Sequence, residues 1–284
     1  MAASKQVNAA GRATRSSRRP KLGQNFLIDA GAARRIVDAL GDITEWVVIE
    51  IGPGRGALTK ALAERAKRLI AVEFDPMLAR QLGVAFSERE NVEIVHGNFL
   101  DVSIPELLKA CPAGDCRRAR VVGNIPYYIT SDILLRLFEQ HEWLETVVIM
   151  VQKEVADRLV ANPGSRDYGL LTVTALLFSE VERLFTLPPD AFSPPPQVHS
   201  SVLRLRMAPR AAALGVDERK FLDFCKLAFA QKRKTLFNNL RSRYGEERTR
   251  EALNANRVRP DVRAEALSLE QLAGSYHRLA QIVD

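Results

Sequence analysis

Gly123-Asn-Ile-Pro-Tyr-Tyr128 brings together the residue types needed to handle a flat base that carries an exocyclic amine. A run from Ala119 to Val122, apolar but for Arg120, stops at the glycine, so these side chains fall where the chain must leave a sheet. The Asn124 oxygen can accept a proton of the amine, Pro126 stiffens the neighbouring main-chain carbonyl, and the Tyr127 ring can stack on the base. Tyr128, pointing the other way off an extended segment, is assigned to packing. Other chemistries find little support. The chain has no Ser-His-Asp order, no suitably placed pair of carboxylates, no phosphate-loop lysine and no cluster of metal ligands. His96 stands alone and reads as structural. A group transfer to a base amine fits this inventory.

Three earlier strand ends must position that stretch. Trp46 to Ile51 is a β-branched run closed by Gly52-Pro-Gly-Arg-Gly56, with a helix expected from Ala57 to about Arg65. Strand, glycine loop and helix open a doubly wound α/β sheet, and the glycines let the backbone approach a ligand closely. Gly52, Gly54 and Ala57 also satisfy the loose dinucleotide pattern, so the loop implies a nucleoside-type cofactor without identifying it. The second strand, Leu69 to Phe74, carries Glu73 where a carboxylate takes ribose hydroxyls. The third, Val92 to His96, is followed by Asn98 and Phe99, an amide and a ring suited to recognising an adenine. Ligands of open α/β sheets sit outside the carboxyl ends of the strands, so all four strand ends are expected to share one crevice.

Helical spacing predicts an amphipathic helix near 30–41 that buries Ile36, Val37 and Leu40. A second follows Asp75-Pro76, and a third is N-capped by Thr130 or Ser131 and buries Ile133, Leu134, Leu137 and Phe138. Ahead of the first helix, Gln24 and Asn25 sit beside Phe26, Leu27 and Ile28, either as a capping region or as a lid that offers polar contacts. A fifth strand over Thr146–Val151 is followed by a short helix, a turn-rich loop over Asn162–Gly169 and an apolar helix over Leu170–Phe178. Val181–Leu187 and Val198–Met207 read as two strands at a sheet edge. Phe192, in the proline-rich connection between them, either packs or stacks on a base.

The chain has 284 residues, enough for a large α/β domain and a smaller second one. No apolar run approaches the roughly 20 residues needed to span a bilayer. A formal charge of +7 points to a polyanionic partner. Three cysteines fit reduced thiols and a cytoplasmic setting; Cys111 and Cys116 are ordinary loop residues. Residues 1–20 hold five Lys/Arg and no acid, and read as a disordered basic arm rather than a targeting segment. Residues 21–207 form the expected α/β domain, and an Ala-rich linker over Ala208–Gly215 opens a helical domain that runs to 284. There, ten Lys/Arg face four Asp/Glu between Lys232 and Arg263. Lys232, Arg233, Lys234, Arg241 and Arg243 are the candidate RNA contacts, against a solvated charged face as the plainer alternative. A monomer is expected.

The combination of Gln24-Asn-Phe-Leu27, Glu50-Ile-Gly-Pro-Gly54 and Gly123-Asn-Ile-Pro-Tyr127 resembles the ribosomal RNA adenine dimethyltransferases. Val151-Gln-Lys-Glu-Val155, Phe192-Ser-Pro-Pro-Pro196 and Gln231-Lys-Arg-Lys-Thr235 are similar to the bacterial small-subunit branch of that family, and the likeness runs from about residue 20 to the end. The resemblance implies a Rossmann-like, S-adenosylmethionine-dependent methyltransferase domain with a helical appendage. It implies a cofactor site made by Asn25, Leu27, Gly52, Gly54, Glu73, Asn98 and Asn124. It also implies catalysis by Asn124, Ile125, Pro126 and Tyr127, with Tyr127 and Phe192 stacking on the target adenine of small-subunit rRNA in an immature ribosomal subunit. No metal is implied. The family usually has Asp where this chain has Asn98, so weaker cofactor affinity is expected, not a lost site.

Three rival readings remain at this point. The erythromycin-resistance type of methylase shares the Asn-Ile-Pro-Tyr signature but modifies large-subunit rRNA. A ribosome-assembly factor could bind RNA with incidental methylation. A nicotinamide oxidoreductase could use the glycine loop and Glu73, but the sequence shows no acid or base for hydride transfer.

Overall fold

The computed structural model describes residues 25–109 and 117–280. The basic arm, Gln24 and the Cys111/Cys116 loop lie outside the described residues. The N-terminal part alternates strand and helix: β1 (Phe26–Leu27), α1 (Ala30–Asp38), β2 (Val47–Ile51), α2 (Thr59–Ala63), β3 (Arg68–Glu73), α3 (Pro76–Ala85), β4 (Val92–His96) and α4 (Ile104–Lys109). Then come β5 (Ala119–Asn124), α5 (Thr130–Glu139), β6 (Leu144–Gln152), α6 (Lys153–Leu159), α7 (Leu170–Phe178), β7 (Ser179–Leu187), β8 (Phe192–Ser193) and β9 (Ser200–Met207). Helices close the chain: α8 (Ala211–Leu214), α9 (Glu218–Ala228), α10 (Leu236–Tyr244), α11 (Glu246–Ala255) and α12 (Leu269–Ala280).

Seven strands form one sheet in the order β4-β3-β2-β5-β6-β9-β7. The first five are parallel, and β9 runs antiparallel to both β6 and β7. The chain winds outward from β2 through β3 and β4, then returns to β5 on the other side of β2. Strand order therefore reverses between β2 and β5, where a doubly wound sheet opens its ligand crevice. Every residue of β2 is buried, which explains a run that is apolar but for Glu50: a parallel strand covered on both faces has no solvent side to mark by alternation.

Each face of the sheet has its own core. On one, Val48, Val122, Val148 and Met150 pack with Ile36 and Val37 of α1 and Leu62 of α2. On the other, Ile49, Val121, Val147 and Ile149 pack with α5 and α7. That second core continues without a break into the C-terminal helices through Phe178, Phe221, Phe224, Leu240, Leu253 and Tyr276. The Phe221 and Tyr276 rings meet edge to face at 5.5 Å. The helical segment is thus seated on the α/β domain by shared apolar surface.

Several local expectations need correction. Residue 104–109 forms a helix where none was expected. The strand expected from Val198 begins at Ser200. α5 takes neither Thr130 nor Ser131 as its N-cap: Ile129 holds that position, and the Thr130 hydroxyl donates instead to the carbonyls of Pro126 and Tyr127. A residue just inside a helix start can satisfy its hydroxyl this way, which ties the Pro126–Tyr127 turn to α5.

Candidate functional site

The four strand ends do converge. A cavity of about 240 Å³ is lined by Asn25, Gly52, Gly54, Glu73, Asn98 and Asn124, together with Ile125, Pro126 and Tyr127 and the apolar side chains around them. Leu27 lies behind the glycine loop instead, in a side pocket that it shares with Glu50 and Gly54.

The glycine loop is shaped by backbone conformations that other residues resist. Gly52 and Gly54 have φ of 63° and 58°. A Cβ on Gly54 would also lie 3.0 Å from the Phe26 ring, so the β1 segment can close over the loop only because that side chain is missing. Glu73 then locks the loop to the next strand. One carboxylate oxygen accepts the Gly54 N–H at 2.9 Å, and the other accepts the Asp75 N–H at 2.8 Å. A carboxylate has about four acceptor sites, so two remain for hydroxyls of a ligand.

Asn124 is fixed by a contact 99 residues away in sequence, its Nδ2 donating to the Asn25 carbonyl at 2.9 Å. The amide is thereby oriented: the nitrogen faces Asn25, and Oδ1 is left as the acceptor. The β5 end approaches β2 closely, since a Cβ on Gly123 would lie 2.8 Å from the Ile51 carbonyl oxygen. Only glycine fits there without moving Asn124. The Ile125 N–H donates to the Met150 carbonyl at 3.2 Å, anchoring the turn to β6. The Tyr127 ring borders the cavity while its hydroxyl pairs with that of Ser200 at 2.8 Å. Desolvation raises the Tyr127 phenol pKa and the Ser200 bond opposes the rise, so it stays a neutral ring.

The structure decides between the two readings of Phe192 and overturns the one given for Tyr128. Phe192 is 2 % exposed and does not border the cavity. It pairs opposite Leu27 in the β1–β8 ribbon and packs in the core, so packing rather than stacking describes it in this state. Tyr128, assigned to packing, is 62 % exposed and borders the cavity. The turn at Tyr127–Ile129 is a 3-10 turn, whose successive side chains are about 120° apart rather than on opposite faces.

Asn98 borders the cavity at the β4 end. Its Oδ1 accepts the Leu100 N–H and its Nδ2 donates to Asp101, both at 3.2 Å. Lys232, Arg233 and Lys234, in the turn between α9 and α10, and Arg241 and Arg243, on α10, are exposed and make no salt bridge among the described residues. The Lys232 ammonium donates to the Arg166 carbonyl, joining this basic segment to the loop after α6. Among the described residues no group of His, Cys, Asp or Glu is arranged to hold a metal ion, and no helix is long and apolar enough to cross a membrane.

Sequence reasoning passed over one residue here. Glu50, on β2, is 1 % exposed, and its Oε2 has no hydrogen-bond partner. Burial pushes its carboxyl up to about 8, with Thr59 opposing and the Glu73 charge adding to the rise. An acid inside an apolar strand was the available signal. The folded chain therefore holds this proton more tightly than the unfolded one, whose carboxyl titrates near 4.5. Rising pH ionises only the unfolded chain between those values, so the group removes stability progressively up to pH 8. Glu50→Gln should be more stable to unfolding than wild type at pH 8 by roughly 2–4 kcal/mol, with the gap closing toward pH 4.5. Thermal denaturation across that range checks it; a pH-independent gap would contradict the assignment.

The Ribosomal RNA adenine dimethylase family model matches residues 15–281. A Ribosomal RNA small subunit methyltransferase A of Koribacter versatilis is 56 % identical over 278 residues, covering 95 % of this chain and 98 % of the relative. The protein of the same name from Acidobacterium capsulatum is 51 % identical over 262 residues, 92 % of this chain and 91 % of its own. Among solved structures, the 23S rRNA methyltransferase ErmE is 30 % identical with a TM-score of 0.67, covering 90 % of this chain and all of its own. A dimethyladenosine transferase from Plasmodium falciparum shares the fold, with a TM-score of 0.72 at 22 % identity over 90 % of this chain and 98 % of its own. The family model spans nearly the whole chain, and relatives more than half identical cover over nine-tenths of it, so the chain belongs to the ribosomal RNA adenine dimethylase family.

Proposed function

We propose that this chain transfers methyl groups from S-adenosylmethionine to N6 of two adjacent adenines in a loop near the 3′ end of small-subunit rRNA, acting as a cytoplasmic monomer on the immature subunit. The observation that carries the chemistry is the orientation of Asn124, whose amide nitrogen is held by Asn25 so that its oxygen is the free acceptor. The choice of rRNA is supported by two small-subunit rRNA methyltransferases that are 51 % and 56 % identical over more than nine-tenths of this chain.

The donor groups present suit a nucleoside cofactor. Glu73 keeps two acceptor sites for ribose hydroxyls, Asn98 presents an amide oxygen for an adenine amine, and the bare backbone at Gly52 and Gly54 admits close approach. Asn25 closes the crevice from the N-terminal side and Leu27 backs the glycine loop. Bound there, S-adenosylmethionine supplies an electrophilic methyl on a sulfonium.

The protein's own task is to make a poor nucleophile reactive. An adenine N6 lone pair is delocalised into its ring. If Asn124 Oδ1 and the Ile125 carbonyl accept the two amine protons, the nitrogen is drawn toward a pyramidal geometry and its lone pair becomes available. Tyr127, steadied by Ser200, holds the base plane by stacking. Such positioning accounts for the rate without a strong base. The target adenine must leave its stack to enter the crevice, which is easiest from an RNA loop. Exposed Lys232, Arg233, Lys234, Arg241 and Arg243 supply a phosphate-binding face.

Labelled methyl incorporation into small-subunit rRNA, with mass spectrometry of the modified adenines, is the direct test. No incorporation into any rRNA would overturn the assignment, and modification of large-subunit rRNA alone would favour the ErmE-like reading. In the same assay, Tyr127→Ala should lower kcat/KM for RNA by roughly 10- to 100-fold with cofactor affinity kept, because one stacked base is worth about 1–3 kcal/mol. Tyr127→Phe, which loses only the Ser200 bond, should stay within about tenfold of wild type.

A further inference from the structure

We infer that Asp101 is a positioning residue for cofactor recognition: it fixes which atom of Asn98 faces the crevice and charges that atom through the amide. The inference rests on the reading above that Asn98 accepts from the cofactor adenine. Asp101 is exposed and does not itself border the cavity. Its Oδ2 accepts from Asn98 Nδ2, while Asn98 Oδ1 accepts from the Leu100 N–H. These two bonds exclude the flipped amide, which would set NH2 against an N–H donor and a carbonyl oxygen against a carboxylate.

The consequence is chemical as well as geometric. An adenine amine needs an acceptor, and the fixed orientation offers Oδ1 where a flipped amide would offer a second donor. A carboxylate bonded to the NH2 end also polarises the amide and increases the negative charge on its oxygen. The turn itself is held from the other side: the side chains of Arg136 on α5 and Gln140 at its C-cap donate to the Val102 carbonyl, and Gln140 Oε1 accepts the Ile104 N–H. Asp101 is thereby kept within reach of Asn98, and the Asp101 N–H donates to the Asn98 carbonyl at 3.0 Å.

A double-mutant cycle on the full chain, read as dissociation constants for S-adenosylmethionine, tests this. Asp101→Ala should weaken binding roughly three- to tenfold in the wild-type background. In an Asn98→Asp background the same change should have the opposite sign, since Asp101 then repels a like charge and its removal tightens binding. A merely structural role for Asp101 predicts loss in both backgrounds. The S-adenosylhomocysteine analogue with hypoxanthine in place of adenine lacks the amine, so its affinity should be insensitive to Asp101→Ala. An unchanged affinity for Asp101→Ala, or the same sign in both backgrounds, overturns the inference while leaving the proposed function intact. If Asn98→Ala binds as tightly as wild type, the adenine assignment of Asn98 fails and the inference with it.

Discussion

Asn124→Ala is expected to lower kcat for adenine methylation by roughly 10²–10³-fold, the usual cost of deleting one preorganised polar group aimed at the reacting atoms. The alanine leaves one amine proton without its acceptor, so the N6 lone pair stays conjugated with the ring. It also frees the Asn25 carbonyl, which loosens the β1 segment over the crevice. Cofactor affinity should therefore fall several-fold as well, and a kcat–Kd comparison separates the two effects. Asn124→Asp sharpens the test. It retains an acceptor but cannot donate to the Asn25 carbonyl, so its kcat should exceed that of the alanine variant while its cofactor binding is no better. Asn124→Ala with a kcat within tenfold of wild type would remove Asn124 from the chemistry.

Glu73→Ala should be the most damaging change to cofactor binding, weakening it by about 100-fold or more, because two hydroxyl acceptors vanish and the glycine loop loses its brace. The second effect is visible without any ligand. Gly54 and Asp75 N–H groups now bonded to the carboxylate would be left unpaired, each at about 1–3 kcal/mol. A drop of roughly 5–10 °C in Tm follows for a chain of this size. Glu73→Gln offers an acceptor to only one of the two N–H groups and meets the other with NH2, so it should fall between alanine and wild type in stability. Calorimetry and isothermal titration measure the two losses separately; a Glu73→Ala chain with unchanged Tm would mean that the brace is not structural.

Much of this site was legible in the chain itself because strand ends advertise their contents locally. β2 and β5 are buried runs that stop at glycine, and the residues just beyond must sit at the carboxyl edge of the sheet. That rule assigns Gly52, Gly54, Glu73, Asn98 and Asn124 to one crevice, and all five line the same cavity. A continuous apolar run without alternation likewise marked α7 at Leu170–Phe178 as a buried helix. Side chains whose place depends on distant partners were beyond it. Phe192 reads as a ring among prolines, and only its pairing opposite Leu27, far earlier in the chain, turns it into the core. Tyr128 was assigned by two-fold alternation, which fails once the backbone leaves the strand for a 3-10 turn.

The same division holds for the chemistry. Residue types alone pointed to a crevice with hydrogen-bond acceptors and an aromatic ring rather than a nucleophile–base pair, because those properties belong to the side chains wherever they lie. Which atom of each group acts was decided only by tertiary contacts. The Asn25 carbonyl sets the face of Asn124, Asp101 and the Leu100 N–H set that of Asn98, and Gly54 and Asp75 occupy half of Glu73. An amide or a carboxylate has several bonding sites of similar energy, and only fixed partners from other strands choose among them. Burial is the other tertiary decision: it keeps the Glu50 proton on the carboxyl, since no local pattern measures how far water is excluded from β2.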